Sequence, residues 1–332
     1  MYEFRRSICS MHRWLAPLLL AIAAQASAQD AAFPRTNAAP SPSAASAAEP
    51  DPATLLFGDD ETRMTVPVTI AGAGPFPFVV DTGAQRTVIS RELAATLGLA
   101  PGRTVRVTGM TGSDSIGTVI IPSLKVSVIG SAAIEAPAIS AINLGARGLL
   151  GIDTLQDHAV GIDFDTKTMT VTPSRKRQTR ERAAPDEIVI RARSLFGQLV
   201  VTDAYCNGIR IRVILDTGTS VSMANAALRR KVTRKGLGSA GASQPVSLTG
   251  VTGETVVADY TTIDRVSIGS LTLGDLPVAF TAIDAPPFRQ FGLSERPAML
   301  LGMDVLQLFR RVDIDFANRE VRLTLPRGTR RR

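Results

Sequence analysis

Phe78-Val79-Val80-Asp81-Thr82-Gly83-Ala84 and Val213-Ile214-Leu215-Asp216-Thr217-Gly218-Thr219 are two copies of one pattern, an apolar run that ends on Asp-Thr-Gly. The apolar run describes a strand buried on both faces. Its Asp puts a carboxylate at the strand's end, and the Gly lets the backbone turn and another chain segment approach closely. The Thr between them can brace the loop through its hydroxyl. More of the chain repeats around these stretches. Val107-Thr108-Gly109-Met110-Thr111-Gly112 is answered by Leu248-Thr249-Gly250-Val251-Thr252-Gly253, and Leu149-Leu150-Gly151-Ile152-Asp153 by Leu300-Leu301-Gly302-Met303-Asp304. Three signatures recur in one order. Asp and hairpin Gly are separated by 28 and 34 residues, and hairpin Gly and Leu-Leu-Gly by 42 and 52. The chain is therefore an internal duplication, with the extra residues of the second half falling in loops such as the one from Asp284 to Phe288.

The local pattern is mostly β. Met64–Ile70, Phe76–Val80, Thr104–Val107, Val119–Ile121, Leu124–Ile129 and Ile134–Ile139 are short β-branched runs divided by Gly and Pro, and Leu199–Tyr205, Ile209–Leu215, Thr255–Ile268 and Pro277–Ile283 follow suit. Short helices are expected at Arg91–Leu97, capped by Ser90, and after each Leu-Leu-Gly. Long helices do not alternate with the strands, which disfavours a parallel α/β sheet.

Outside the duplication lie segments of other kinds. Arg5, Arg6 and Arg13 precede an apolar run from Trp14 to Ala24, and Ala26-Ser27-Ala28 follows. Basic, apolar and small-residue regions in that order read as a secretory signal peptide over residues 1–28. The apolar run of 11 residues is short against the roughly 20 that a membrane span needs. Residues 29–56 are rich in Ala, Pro and Ser and read as a spacer or pro-segment. The first half then occupies 57–172, a basic linker 173–187, the second half 188–326 and a basic tail 327–332. The net charge of +7 sits largely in residues 175–182 of the linker and in the tail, at +4 each, so the folded remainder is slightly acidic. With no aromatic-rich reading surface beside them, these charges do not indicate nucleic acid. Of two Cys and two His, Cys9 and His12 fall in the leader, and the one Cys and one His left, Cys206 and His158, exclude a disulfide framework and a four-ligand zinc site.

Two Asp-Thr-Gly loops brought together across a pseudo-twofold axis would place two carboxylates side by side. Carboxylates that close share one proton, because both cannot easily ionise. One can then act as general base on a water and the other as general acid toward a carbonyl. Such a pair hydrolyses amides without Ser, Cys or a metal.

On these motifs the chain resembles the aspartic proteases over roughly residues 60–172 and 188–325. The first half is similar to the retroviral, or retropepsin, type, and Asp-Thr-Gly-Thr-Ser in the second half is closer to the pepsin type. The resemblance implies an all-β, bilobal acid-protease fold, with two retropepsin-like β-barrel lobes and short helices in a single chain. It implies an aspartic endopeptidase with Asp81 and Asp216 as its catalytic pair and Thr82, Gly83, Thr217, Gly218 and Thr219 supporting them. Thr82 and Thr217 would each brace the opposite lobe's loop, and the Thr219 hydroxyl could donate to an outer carboxylate oxygen. Gly109, Met110, Thr111 and Gly112, with Gly250, Val251, Thr252 and Gly253, would form flaps over the substrate, although neither carries the Tyr of pepsin-type flaps. No metal or other cofactor is implied. The expected partner is a polypeptide substrate, handled by a monomer in the periplasm or outside the cell, with no nucleic acid and no stable membrane span after leader removal. The alternative is a catalytically silent peptide-binding module that keeps the cleft. His158, whose counterpart in the second half is Phe309, reads as a packing residue. Asp163, Asp165, Asp313 and Asp315 read as hairpin acids, and Cys206 as a buried thiol.

Overall fold

The computed structural model describes residues 2–4, 54–56, 64–126, 129–177, 179, 182–235, 243–281 and 285–328. Most of residues 1–28, which were expected to be a signal peptide, most of the Ala/Pro/Ser segment and the end of the tail lie outside the described residues. Three sheets organise what is described. In the first, Ala73–Val80, the strand that delivers Asp81, is flanked by Thr65–Ile70 and by Gly148–Leu150. Beyond Gly148–Leu150 come Val88–Ser90, Ile134–Ile139 and the hairpin Pro101–Thr108/Ser113–Ile121. In the second, Ile209–Leu215 delivers Asp216 between Gln198–Cys206 and Ala298–Leu301, with Met223–Ala224 and Leu271–Thr281 following on. The long hairpin Thr255–Ile268/Leu271–Thr281 carries the shorter strand Gln244–Thr249 on its flank. Each sheet curls into a half-barrel lobe, and the fold is the bilobal, mainly β arrangement that the duplication implies.

Each lobe threads its chain in the same unusual way. Val79 and Val80 run parallel to Leu149 and Leu150, while Val88–Ile89 lies antiparallel to the same Leu-Leu-Gly strand. In the second lobe Arg212–Leu215 runs parallel to Ala298–Leu301, which Met223–Ala224 meets antiparallel. The Gly of each Leu-Leu-Gly marks the point of closest approach. A Cβ at Gly151 would collide with the backbone of Arg86 and Thr87, and one at Gly302 would stand 3.0 Å from Thr219 O and from the Val221 backbone.

The third sheet joins the lobes, and the sequence patterns do not announce it. His158–Asp163 of the first half pairs antiparallel with Arg311–Asp315 of the second, and each closes a hairpin, with Thr168–Pro173 and with Glu320–Thr324. Val160, Ile162, Val171, Val312, Ile314, Val321 and Leu323 are buried in a core continuous with both lobes. Full burial of a side chain of this size contributes about 1.5–3 kcal/mol, so the sheet binds the halves firmly. Its turns explain two of the expected hairpin acids, with Asp163 Oδ1 accepting from Thr166 N at 2.8 Å and Asp315 Oδ1 from Asn318 N at 3.0 Å, whereas Asp313 lies within the strand and holds Arg311.

Elsewhere the elements follow the local chemistry. Ser90 caps the helix Arg91–Thr96 by accepting from Leu93 N. A second capped helix, Ala226–Arg234, was not anticipated; Asn225 accepts from Leu228 N and fixes its start. The strand expected at Pro277–Ile283 begins earlier, at Leu271, because it pairs along the whole length of Thr255–Ile268. Tyr2–Phe4 runs parallel to Leu271–Leu273. Among the described residues no helix is long and apolar enough to cross a membrane.

The linker is anchored at both ends: Asp186 and Glu187 at its close pair with Arg310 and Arg322, and Arg177 holds its start. Arg177 pairs with Asp315 at 3.1 Å and Glu320 at 3.6 Å, and its N–H donates to Asn318 Oδ1 at 2.8 Å. Arg175, Lys176 and Arg182 remain exposed. Limited trypsin treatment should therefore nick this segment and leave the two fragments together through the third sheet. They should co-elute at the volume of the uncut chain and part only in denaturant; separation on a native sizing column would contradict the shared sheet.

Candidate active site

Asp81 and Asp216 close the two central strands, and each backbone N–H is held by the neighbouring Leu-Leu-Gly strand. Asp81 N donates to Leu150 O and Asp216 N to Leu301 O, both at 3.0 Å. The loops that follow interlock. Thr217 Oγ1 donates to Val80 O at 2.7 Å and accepts from Thr82 N at 3.1 Å, while Thr82 Oγ1 donates to Leu215 O and accepts from Thr217 N, each at 3.1 Å. Both threonines are buried. The expected bracing of each loop by the other lobe's Thr is what the structure contains.

This interlock brings the acids together. A Cβ on Gly83 would run into the Asp216 carboxylate, 2.5 Å from its Cγ, and a Cβ on Gly218 would collide with the Asp81 carboxylate. Each glycine therefore lies against the opposite lobe's acid, and no other residue fits. Asp81 Oδ1 accepts from Gly83 N at 2.8 Å and from Ala84 N at 2.9 Å, and Asp216 Oδ1 accepts from Gly218 N at 2.8 Å. These inner bonds fix the carboxylate planes. Asp216 is the more enclosed of the two, at 8% exposure.

Thr219 departs from its expected role. Its hydroxyl donates to Val221 O at 3.2 Å, within its own loop. A hydroxyl has one proton to give, so this donation is not available to a carboxylate. Thr219 supports the loop and not the acids directly.

Five residues that sequence reasoning passed over complete the support. Thr87 N and Oγ1 donate to Asp153 Oδ1 at 2.9 and 2.7 Å, and Thr87 Oγ1 accepts from Gly151 N at 3.1 Å. The second lobe repeats the arrangement: Ser222 N donates to Asp304 Oδ2 at 3.0 Å and its Oγ to Asp304 Oδ1 at 2.7 Å, while Gly302 N donates to Ser222 Oγ at 3.0 Å. An acid at the same offset after Leu-Leu-Gly in both halves was a usable signal. Gln198 had none. It is 3% exposed, donates from Nε2 to Gly83 O and lines the cleft.

The cleft above the acids encloses about 590 Å³. Asp81, Gly83, Asp216 and Gly218 form its floor, Leu149, Ile139, Ile214 and Leu300 its apolar walls, and the two Gly hairpins its roof. The hairpin tips meet. Thr111 packs against Gly250, Val251 against Gly109, and the Glu254 carboxylate occupies the place a Cβ on Gly112 would need. Met110 packs on the second lobe's apolar cluster and Val251 on the first lobe's, so each tip reaches across to the other half. Gly109, Met110, Thr111, Gly250 and Val251 line the cleft, whereas Gly112, Thr252 and Gly253 form the outer sides of the turns. His158 faces Pro173 in the joining sheet, away from the cleft. Cys206 is a buried thiol whose pKa burial pushes up to about 12, with the Asp264 charge adding to the shift.

The root of the first hairpin carries a charged clamp. Glu135 accepts from Arg103 N at 2.8 Å, from Arg103 Nη2 at 2.6 Å and from Thr118 Oγ1 at 2.7 Å. The Arg103 guanidinium, followed by the Thr118 hydroxyl and the Arg103 N–H, pulls the Glu135 carboxyl down from 4.5 to about 2.

Residues 66–157 match the family model described as "gag-polyprotein putative aspartyl protease", and residues 202–305 match the model described as "Aspartyl protease". The two matches lie in tandem, one over each lobe. No curated protein matches the chain.

Two outcomes test this geometry. Thr217→Val leaves Val80 O and Thr82 N without their partner inside the interface. Each buried group so orphaned costs about 1–3 kcal/mol, so urea unfolding should show a loss of at least about 2 kcal/mol, whereas Thr219→Val should stay near the parent. Equal losses would show that the interlock is not special. The second outcome concerns pH. A carboxyl lowered on folding stabilises fully above its unfolded value and loses that contribution as pH falls through its folded value. The Glu135 clamp should therefore persist at pH 3 to 4 and fail toward about 2. Carboxyl chemical shifts that titrate near 4.5 would contradict the clamp.

Proposed function

We propose that this chain, which belongs to the retropepsin-like aspartic protease family and carries two of its domains in tandem, is an endopeptidase whose catalytic pair is Asp81 and Asp216. The observation that carries this reading is the interlock of the two Asp-Thr-Gly loops, which sets the carboxylates against each other's glycines on the floor of a roofed cleft. Two carboxylates held that close keep one proton between them. The ionised partner takes a proton from a water, whose oxygen attacks the peptide carbonyl carbon, while the protonated partner donates to the carbonyl oxygen. The tetrahedral diol then collapses: the C–N bond breaks, the nitrogen takes up a proton from the pair, a diol hydroxyl returns its proton to the pair as the C=O forms, and the carboxyl and amine products leave. Backbone N–H groups of Gly83, Ala84 and Gly218 hold the inner oxygens, which aims the outer ones at the water.

The substrate is a polypeptide in extended form. The strand-lined walls and the two hairpins suit a chain with apolar side chains around the scissile bond, because Ile139, Leu149, Ile214 and Leu300 bound the space. Both halves of the pair are in one chain, so the active unit is a monomer. Residues 1–28, read as an export signal, support work in the periplasm or outside the cell.

Casein should be cleaved between pH 3 and 7 with a bell-shaped profile whose limbs belong to the pair and not to either acid, and a statine-type inhibitor should block it. Asp81→Asn and Asp216→Asn should each lower kcat at least about a thousandfold, the scale of losing a general acid–base partner. Rates should rise in proportion to protein concentration. Full turnover by either Asn variant would exclude the mechanism, and a second-order dependence would exclude the monomer.

A further inference from the structure

The wall of the cleft formed by Ile214 and Leu300 continues past the cleft itself. Register sets Arg193 opposite Val200, Val200 opposite Ile214 and Ile214 opposite Leu300, so the four side chains share one face of the second lobe's sheet. Two residues back along the same strand Arg212 stands beside Ala298 on that face, and two further back Arg210 stands opposite the exposed Tyr205. Arg296 lies just before Ala298, where Pro297 O accepts from Arg212 N. Burial, then the charges of Arg210, Arg296 and Arg193, hold the Arg212 guanidinium below its ordinary pKa.

Several other arginines are paired. Arg230, Arg310, Arg311 and Arg322 hold Glu295, Asp186, Asp313 and Glu187. Among the described residues, Arg193, Arg210, Arg212 and Arg296 hold no carboxylate. Four uncompensated cations on one face repel one another, and the folded part of this chain is otherwise slightly acidic. An apolar lip adjoins them. Phe196 is 64% exposed at a turn where its φ is 52°, a conformation that bulky side chains rarely adopt. Its ring lies 6.0 Å from that of Phe291, which lines the cleft.

We propose that this arginine face, with Phe196 at its edge, is an exosite that holds an acidic stretch of the polypeptide substrate at a distance from the bond being cut. The inference rests on the proteolytic reading and adds a substrate class to it. At about 3.3 Å per strand residue, Arg212 and Arg210 stand roughly 13 and 20 Å from Asp216. An extended substrate covers that distance in about four to six residues. The preferred substrate therefore carries Asp or Glu about four to six positions from the scissile bond, on one side only.

The test uses peptides that share one cleaved core and carry four Glu, four Gln or four Lys at that distance, on either side. With the whole chain at about 50 mM NaCl, where charges a Debye length apart still interact, the Glu peptide on one side should show a KM about tenfold below its Gln counterpart. Its kcat should be unchanged, and the Lys peptide should be the poorest. Roughly 300 mM NaCl should remove most of that advantage. So should the combined variant Arg193→Ser, Arg210→Ser, Arg212→Gln and Arg296→Ser, and the milder pair Arg210→Ser and Arg296→Ser should remove part of it. The core peptide alone should be cut equally by all three proteins, which also shows that they fold. An absent Glu advantage, or one that survives in the combined variant, overturns the exosite. Anisotropy with the Asp81→Asn chain reads binding without turnover. If it binds dextran sulfate or anionic vesicles through these arginines but not the Glu peptide, the exosite is again overturned. If the parent cleaves nothing while the Glu peptide still binds in an arginine-dependent way, the proteolytic reading fails and the binding face stands.

Discussion

Four hydrogen bonds between Thr82 and Thr217 and the opposite strands hold the two loops in one geometry. Each threonine uses its backbone N–H and its hydroxyl on the other lobe, so neither loop is complete alone. The bonds are buried, and breaking one leaves a polar group without water to replace its partner. That is why the lobes must close on each other to a fraction of an ångström. The glycines after the threonines follow from the same closeness, since each abuts the opposite carboxylate. The joining sheet does the coarser part of this work: His158–Asp163 and Arg311–Asp315 bring the lobes together, and the threonines fix the last distance.

The two halves are equal where the acids are positioned and unequal elsewhere. Thr87 with Asp153 and Ser222 with Asp304 support the loops by the same bonds. Yet Ala84 N reaches Asp81 and Gln198 reaches Gly83 O, so the first loop is held from both lobes. The second half also adds the segment from Ala285 to Arg296, whose Phe288 and Leu293 pack in one cluster with Val200, Ile214 and Leu300 and whose Phe291 lines the cleft. A dimer of identical chains must put any such feature on both sides. A chain carrying both halves is free of that constraint, and the arginine face is a property of one half only.

The roof shows the same reciprocity as the floor. Met110 leaves the first lobe to pack on the second, and Val251 does the reverse. Each hairpin thus gains an apolar contact only when the other lobe is in place. The Glu135 clamp at the root of the first hairpin stays charged in acid, where a pair of carboxylates sharing a proton works best. A clamp built on an ordinary carboxyl would weaken over that range.

Much of this was legible in the residues. The repeated apolar run with Asp-Thr-Gly, the Gly hairpins and Leu-Leu-Gly determined the duplication, the β class, the pairing of Asp81 with Asp216 and the bracing by Thr82 and Thr217, because each motif encodes a local demand of strand, turn or close approach. Local patterns could not say which partner a hydroxyl takes, so Thr219 was expected at a carboxylate and instead donates to Val221 O. Nor could they find Gln198, whose role depends on a neighbour 115 residues away, or the joining sheet, whose strands look like any amphipathic hairpin until they pair. The arginine face is the plainest case. Arg193, Arg210, Arg212 and Arg296 are scattered charges along the chain; the register of three neighbouring strands sets the first three on one face of the sheet, and the bend before Ala298 brings Arg296 near Arg212. A sequence determines what each residue can do locally, and tertiary structure decides which residues act together, because hydrogen bonds and charges depend on distances that the fold alone sets.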